Sequence, residues 1–505
     1  MNGVLPSLGG VLLFLIAGLG IAELVPAVRT LPLPRRLGWA FLFGMTGVNA
    51  ALYALSHWLD VPLRRPAILA TVAACALLGA VRLFRRERRP RSRPPGLTGP
   101  FQIAAAALLA FISLGLLVEA MTDPLTSWDS RMTWAAQAIW VRDEGTVDAE
   151  ALQRKMIYVT HPQYPLLLPL AQVVVQETFD VPNDVHAFRA VYAGFFAAFV
   201  LLLWDGARRW AGRGPALLAA LAAAGVPAIT FWGDSGAISG YSDQPLGCFF
   251  GAGLLLLLRA RGRKQGRWAN FLGGGFLLAG AALTKNEGML LAFLALGAAA
   301  LPILLRHLRN RRPLPGHLLR LVAAAVPVLL ALALLRSWRA AIPNRQDEMY
   351  GSLVRTQDIW PDAFLRIPDL LRMVLEQTYN FERWTLFWIA VPVVFVAGRR
   401  GWMGRRGGLA LALAAGALAP LAVAWGAYLF HPAPESLISV TWTRFLVQGA
   451  LPLCLLLALA LRDILQRSGW SWRATRKRVA PGVVELRESK SGSAQSLDGD
   501  LAKND

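Results

Sequence analysis

Long apolar runs alternating with short basic connectors limit this chain more than any other feature. Runs of roughly 15 to 22 residues, the length a helix needs to cross hydrocarbon, stand at about 4–23, 38–57, 66–83, 101–120, 186–205, 214–231, 245–258, 269–283, 289–305, 318–335, 384–398, 408–429 and 444–461. The connectors are RTLPLPRR, RLFRRERRPRSR, ARRWAGR, RARGRKQGR, RHLRNRRPLPGHLLR and GRRGWMGRR, with LRDILQR opening the tail. A 505-residue chain that is 55% hydrophobic and 16% charged is too oily for a soluble core of its size. The expected fold is all-α, a polytopic bundle of about 13 transmembrane helices with amphipathic helices lying beside the membrane outside.

The net charge of +21 follows the same pattern. Its Lys and Arg residues sit between apolar runs and are not interleaved with aromatics in a polar domain, so they set topology and predict no nucleic-acid partner. Cys75, Cys248 and Cys454 lie inside apolar runs and read as packing residues. The N-terminal run lacks a basic n-region and a convincing cleavage site, so it reads as a retained span.

One further stretch, YPLLLPLAQVVVQ at 164–176, is short and carries two prolines. A full crossing there would put every later basic connector on the wrong side, so it reads as a re-entrant or interfacial helix packed on the protein. The outer face then receives long loops at about 121–185 and 336–383, with short turns at FWGDSGAISGYSDQ, TKNEG and FHPAPESLISVTWTR. Residues 1–100 form N-terminal spans, 101–465 the functional membrane domain, and 466–505 a disordered cytoplasmic tail.

The polar residues of the outer face suggest chemistry. Met132, Ala135, Ala136, Ile139 and Trp140 recur at helical spacing, so Ser130 to Asp143 reads as an amphipathic helix on the membrane, stopped by Gly145. Asp129 at its start suits a general base, and equally an ordinary N-cap. His161 and Tyr164 of THPQYP would stand at a cavity lip or anchor the interface. Lys285 and Glu287 of LTKNEG would meet a ligand, or the lysine would reach only water. Asp243 of GYSDQPLG stands at the threshold of a span, and Arg444 of VTWTRFL opens the last one, where its planar fork suits phosphate. In the second long loop, DAFLRIPDLLRMVLEQ is amphipathic, and Asp347, Glu348 and Tyr350 are its polar group for an acceptor or lid role.

The order SWDSRMTWAAQA, HPQYPLLLP, YSDQPLG, LTKNEG and TRFL resembles the membrane glycosyltransferases of the GT-C superfamily, nearest its aminoarabinose lipid A transferase and protein mannosyltransferase branch. The resemblance covers about Phe101 to Leu461. It implies an inverting transferase of the bacterial inner membrane, with its active site facing the periplasm. A sugar would pass from a polyprenyl-phosphate donor to a lipid, glycan or protein acceptor. By that likeness the base is Asp129, with Asp123 the runner-up. Lys285, Arg444 and Arg131 would face the donor phosphate, while His161, Tyr164, Asp243, Glu287 and Trp128 would line the substrates. No cofactor is required by this scheme, and a divalent metal ion stays open. A lipid or polysaccharide transporter and a noncatalytic envelope-synthesis scaffold are the rival classes. The transporter predicts an internal repeat and mid-membrane charges.

Overall fold

The computed structural model describes residues 4–83, 99–123, 125–154, 161–181, 188–260, 267–310, 315–342, 364–400, 407–431 and 433–468. Asp347, Glu348, Tyr350 and the tail from 469 onward lie outside them. The described residues form helices and no strand. We number the main ones α1 (Val4–Glu23), α2 (Leu33–Leu59), α3 (Arg65–Leu83), α4 (Pro100–Thr122), α5 (Ala136–Glu144), α6 (Leu167–Phe179), α7 (Arg189–Trp210), α8 (Arg213–Ala224) and α9 (Asp243–Ala260). The remainder are α10 (Arg267–Ala282), α11 (Asn286–Asn310), α12 (Pro315–Ala340), α13 (Ile367–Thr378), α14 (Phe387–Ala397), α15 (Gly407–Phe430), α16 (Pro434–Gln448) and α17 (Ala450–Arg467).

The protein is a polytopic helical bundle, and among the described residues the apolar runs fall mainly on helix, the run at 214–231 breaking at Gly225 and Val226. Among the described residues α1, α2, α4, α7, α11, α12 and α15 are long and apolar enough to cross a membrane. The run at 444–461 divides between α16 and α17, which meet at a 55° bend. Arg444 therefore does not open a span; it lies in α16, one turn before the break. Pro452 has no N–H to give the Gln448 carbonyl, so the helix breaks there, and Gly449 lets the break pack on α15, since a Cβ would stand 2.6 Å from the Ala417 carbonyl oxygen.

At its centre stands α9, whose eighteen residues are all buried. A helix apolar all round is one that other helices enclose, and α9 packs against α7, α10, α11, α16 and α17. Its ends are charged: Asp243 opens it and Arg259 lies in its last turn, the signs that the helix dipole favours. Arg259 binds Asp205 of α7, which also takes Arg35 and the Trp39 indole N–H (3.2 Å).

The 164–176 stretch forms α6, thirteen residues whose Leu167 to Gln176 are buried within the protein. At about 1.5 Å per residue it spans roughly 20 Å, short of the hydrocarbon thickness. At the other end of this region, His57 of α2 bonds Asp148 (2.9 Å) and Ser337 of α12 (3.1 Å). The Ser337 hydroxyl also donates to the Leu334 carbonyl (2.9 Å) within its own helix. The trio therefore works as a bracket that fixes the segment after α5 to α2 and α12, helped by Trp338 Nε1 on the Val147 carbonyl (2.9 Å).

Glycines set how closely α1 and α2 approach. A Cβ on Gly18 would lie 1.6 Å from the Ala40 carbonyl oxygen, and one on Gly44 1.8 Å from that of Phe14. Backbone cannot give way as a side chain can, so Gly18→Val is expected to cost about 1–3 kcal/mol. Gly426→Ala, with no atom within 4 Å of the new methyl, should be neutral or slightly stabilising. Thermal unfolding of the two variants in detergent checks the contrast.

Candidate active site

The site forms where α9 begins, because two separate segments bring charge to Asp243 and a third, at Asp129, joins through Arg444. The turn before α9 is shaped by two glycines. Gly236 packs where a Cβ would meet the Trp232 amide nitrogen at 2.5 Å, and Gly240 adopts φ +77°, a left-handed conformation open to glycine. The chain is thereby folded back so that Tyr241 meets the segment of Asp129. Pro245 falls in the first turn of α9, where its missing N–H costs nothing.

Asp243 is fully buried. Its Oδ1 accepts from Lys285 Nζ (3.0 Å) and Gln448 Nε2 (2.6 Å), and its Oδ2 accepts from Arg444 Nε (2.7 Å). Lys285 also meets Glu287 Oε1 at 3.2 Å. Arg444 reaches on through Nη1 to Asp129 Oδ2 at 2.9 Å, and its guanidinium lies 4.5 Å above the Tyr241 ring. The backbone N–H of Asp129 donates to the Tyr241 hydroxyl (3.4 Å). Burial pushes the Tyr241 phenol above its ordinary pKa, and the Asp129 carboxylate adds to the effect, so the hydroxyl stays protonated. A continuous line of ion pairs thus joins Glu287, Lys285, Asp243, Arg444 and Asp129.

Several sequence expectations meet this geometry differently. Asp129 is not an N-cap: its backbone is already helical and its side chain makes no cap bond. The carboxylate is held by Arg444 instead. The helix after it starts as a π-turn, Ser130–Ala135, before running on as α5 to the left-handed Gly145. The buried face carries Trp134, Ala135, Ala138 and Val141, while Met132 and Ile139 are exposed. The expected face of Met132, Ala135, Ala136, Ile139 and Trp140 is therefore corrected: of its five residues only Ala135 is buried, because tertiary packing selects the neighbouring stripe. The buried face packs on α6.

Lys285 does not reach out to water; it is buried with its two carboxylates. Trp128 and Arg131 are exposed beside Asp129. His161 and Tyr164 stack on one another (4.7 Å), and Tyr164 stacks on Trp134 (5.6 Å). Gln137 Nε2 donates to the His161 carbonyl at 2.9 Å. The Leu167 N–H donates to the Leu283 carbonyl (3.0 Å), so the HPQYP turn and the LTKNEG turn adjoin. Asp123, by contrast, is exposed, and its charge acts with that of Glu119 on Arg189. Among the described residues no three His, Cys, Asp or Glu side chains gather closely enough to hold a metal ion, and both oxygens of Asp243 are occupied.

Sequence reading missed Tyr241, Gln448, Asp234 and Arg383. Gln448 was open to inference, lying four residues after Arg444 on one helix face. Arg383 lies 5.3 Å over the Trp232 ring, and its Nη1 donates to Thr443 Oγ1 (3.0 Å), beside Arg444. Asp234 shares this corner, and its carboxyl is pushed above the ordinary value by burial, with Asp243 acting in the same sense. A cavity of about 440 Å³, lined by Ile112, Leu116, Glu119, Ala224, Thr230 and Phe231, opens next to this turn.

Residues 165–330 match the family model described as dolichyl-phosphate-mannose-protein mannosyltransferase. The matched third of the chain contains Asp243, Lys285 and Glu287 and stops short of Asp129 and Arg444. No curated protein and no solved structure matches the chain. The family match supports a membrane glycosyltransferase of the GT-C type, in line with the resemblance of its motifs.

Two stability measurements test the site's electrostatics. Removing one member of a buried ion set strands the others, so Asp243→Ala should destabilise the protein by about 3–5 kcal/mol in detergent unfolding. Asp234 behaves in the opposite sense. Its folded-state pKa is raised, so its contribution is fully present below the unfolded carboxylate pKa of about 3.9 and is lost as pH rises through the folded value. Asp234→Asn, which mimics the neutral form, should therefore raise the melting temperature at pH 7. The gain should shrink toward pH 4.

Proposed function

We propose that this chain, a GT-C-type membrane glycosyltransferase by its family match, moves a sugar with inversion from a polyprenyl-phosphate donor to a hydroxyl acceptor. The reading rests chiefly on one observation, the ion-paired line from Asp129 through Arg444 and Asp243 to Lys285. It unites a carboxylate still partly open to solvent with two cations held rigidly by a fully buried one.

A sugar or lipid hydroxyl is too weak an acid to attack unaided. In this reading Asp129 takes its proton as the hydroxyl oxygen bonds to the anomeric carbon, while the bond from that carbon to the phosphate oxygen breaks and its electron pair stays with the phosphate. The leaving polyprenyl phosphate gains charge in that step. Arg444 and Lys285, fixed by Asp243 before the substrate arrives, supply preorganised donors for it, with Arg131 at the open side. Glu287 and Asp243 orient Lys285. Trp128, His161 and Tyr164 offer flat faces for the sugar or acceptor. The prenyl chain would occupy the apolar cavity between α4 and α8, next to the Trp232 turn.

Asp123 remains the runner-up base, with exposure in its favour and its separation from Arg444 against it. The acceptor is proposed to be a lipid, glycan or protein, and the site to open to the periplasm of a bacterial inner membrane, in keeping with the basic connectors at the opposite ends of the helices. No step is drawn through a divalent ion.

The test compares glycan and glycolipid mass spectra from cells lacking the gene, restored with it, or restored as Asp129→Asn at matched membrane abundance. One sugar increment should disappear with the gene and stay absent with the Asn variant, since an amide cannot take the proton. Restoration by that variant would remove Asp129 from the chemistry, and an unchanged spectrum in the deletion would remove the transferase reading.

A further inference from the structure

Of the cations around Asp243 and Asp129, the two in the ion-paired line are already neutralised. Lys285 meets Asp243 and Glu287, and Arg444 meets Asp243 and Asp129. Arg383 differs. Its Nη1 donates to Gln377 Oε1 (2.9 Å) and Thr443 Oγ1 (3.0 Å), both neutral, and among the described residues it takes part in no ion pair. Its charge reaches Asp234, but the two are not in ion-pair contact. Arg131 is unpaired as well, yet it is exposed and no side-chain bond holds it.

Arg383 is both fixed and open. Its backbone N–H donates to the Asn380 side chain (3.1 Å), which caps the short helix Phe381–Trp384. Directly after that helix Thr385 adopts φ +52° and ψ −130°, a conformation that costs a β-branched residue energy and persists only where the surrounding contacts impose it. The guanidinium lies 5.3 Å over the Trp232 ring, and Thr443 is the residue before Arg444. Helix Phe381–Trp384 packs on Pro227–Thr230, and Thr230 and Phe231, the residue before Trp232, line the cavity of about 440 Å³. Arg383 therefore stands between the wall of that cavity and Arg444. Its Nε is sealed, whereas Nη2 is neither sealed nor hydrogen-bonded, and the residue is partly exposed.

We propose that Arg383 is a phosphate-binding residue that takes the phosphate of the donor lipid through its open Nη2 as the prenyl chain seats between α4 and α8. The inference rests on the transferase reading and deepens it, because it assigns capture of the donor to the second outer segment. A phosphate arriving at Arg444 or Lys285 alone has to share each with carboxylates already bound there. At Arg383 it competes only with neutral acceptors, so the whole charge is available, and a fork already held by two hydrogen bonds loses little freedom on binding. The path from the cavity past Trp232 to Arg444 brings the phosphate to Arg383 first.

The experiment uses the full-length chain purified in detergent and measures direct binding of a short-chain polyprenyl phosphate, of the matching polyprenol without phosphate, and of the phosphate lipid in competition with inorganic phosphate. The parent should bind the phosphate lipid more tightly than the polyprenol. Arg383→Gln, which removes the charge, should weaken the phosphate lipid about tenfold or more, the size of a hydrogen bond between charged groups, and leave the polyprenol unchanged. Arg383→Lys, which keeps the charge, should stay within about threefold of the parent. Inorganic phosphate should displace the lipid only in large excess. Equal binding of the phosphate lipid by the parent and Arg383→Gln overturns the inference and leaves the transferase reading intact, since Arg444 and Lys285 would then suffice. Equal loss of phosphate lipid and polyprenol in Arg383→Gln also overturns it, because the residue would then only shape the segment. Displacement by inorganic phosphate at equal concentration would assign the site to a free anion and overturn it too. A parent that binds the phosphate lipid no better than the polyprenol overturns the inference together with the donor class.

Discussion

Asp243 is the constraint on which the rest of the outer end depends. A carboxylate with no exposure cannot be left unpaired, since the desolvation of a lone charge would exceed what a domain of this kind can bear. It is satisfied only if Lys285, Arg444 and Gln448 all arrive, and these come from the turn between α10 and α11 and from α16. Two parts of the chain far apart in sequence are thereby fixed to the start of α9. Arg444 then carries the order one step outward to Asp129. Preorganisation of the site and stability of the bundle at this end are one and the same interaction.

The helix that presents Asp243 is itself held at both ends. Its other charged residue, Arg259, lies sixteen positions on, about 24 Å along a helix axis, and is neutralised by Asp205. Everything between is apolar and enclosed. A wholly buried helix gains little from its surface that would fix its rotation or its height, so the two polar ends supply that register. Arg35 and Trp39 reach Asp205 from the start of α2, and so bring the N-terminal helices into the same scheme. Helix α2 is therefore not an appendage; it braces the far end of α9.

How much of this could be read beforehand depended on the type of signal. Apolar runs of span length specify helices almost irrespective of partners, and they fall mainly on helix. The gathering of Asp129, Lys285, Asp243 and Arg444 was legible from their placement at one set of chain ends. Local reasoning failed where tertiary contacts decided the matter. Asp129 sits where caps sit, but an arginine more than three hundred residues away claims its carboxylate. The helix after Asp129 turns the stripe of Trp134, Ala138 and Val141 inward, a choice made by packing on α6 and not by the helix's own pattern. The run at 444–461 reads as one span, although Pro452 inside it cannot donate to the Gln448 carbonyl and so breaks the helix there.

The charge balance of the site says why a base can be paired with arginine and still serve. Asp129, Asp234, Asp243 and Glu287 oppose Lys285, Arg383 and Arg444, four negative charges against three positive. Arg444 holds Asp129 Oδ2 through Nη1 at 2.9 Å while its Nε stays on Asp243. On the proposed reading a donor phosphate adds one more negative charge beside Arg444. The guanidinium would then divide itself between phosphate and carboxylate, and its hold on Asp129 would loosen as the donor arrives. A lysine at position 444 would be a point charge unable to span Asp243, Asp129 and phosphate at fixed angles, so the planar fork of arginine is what couples donor binding to proton removal.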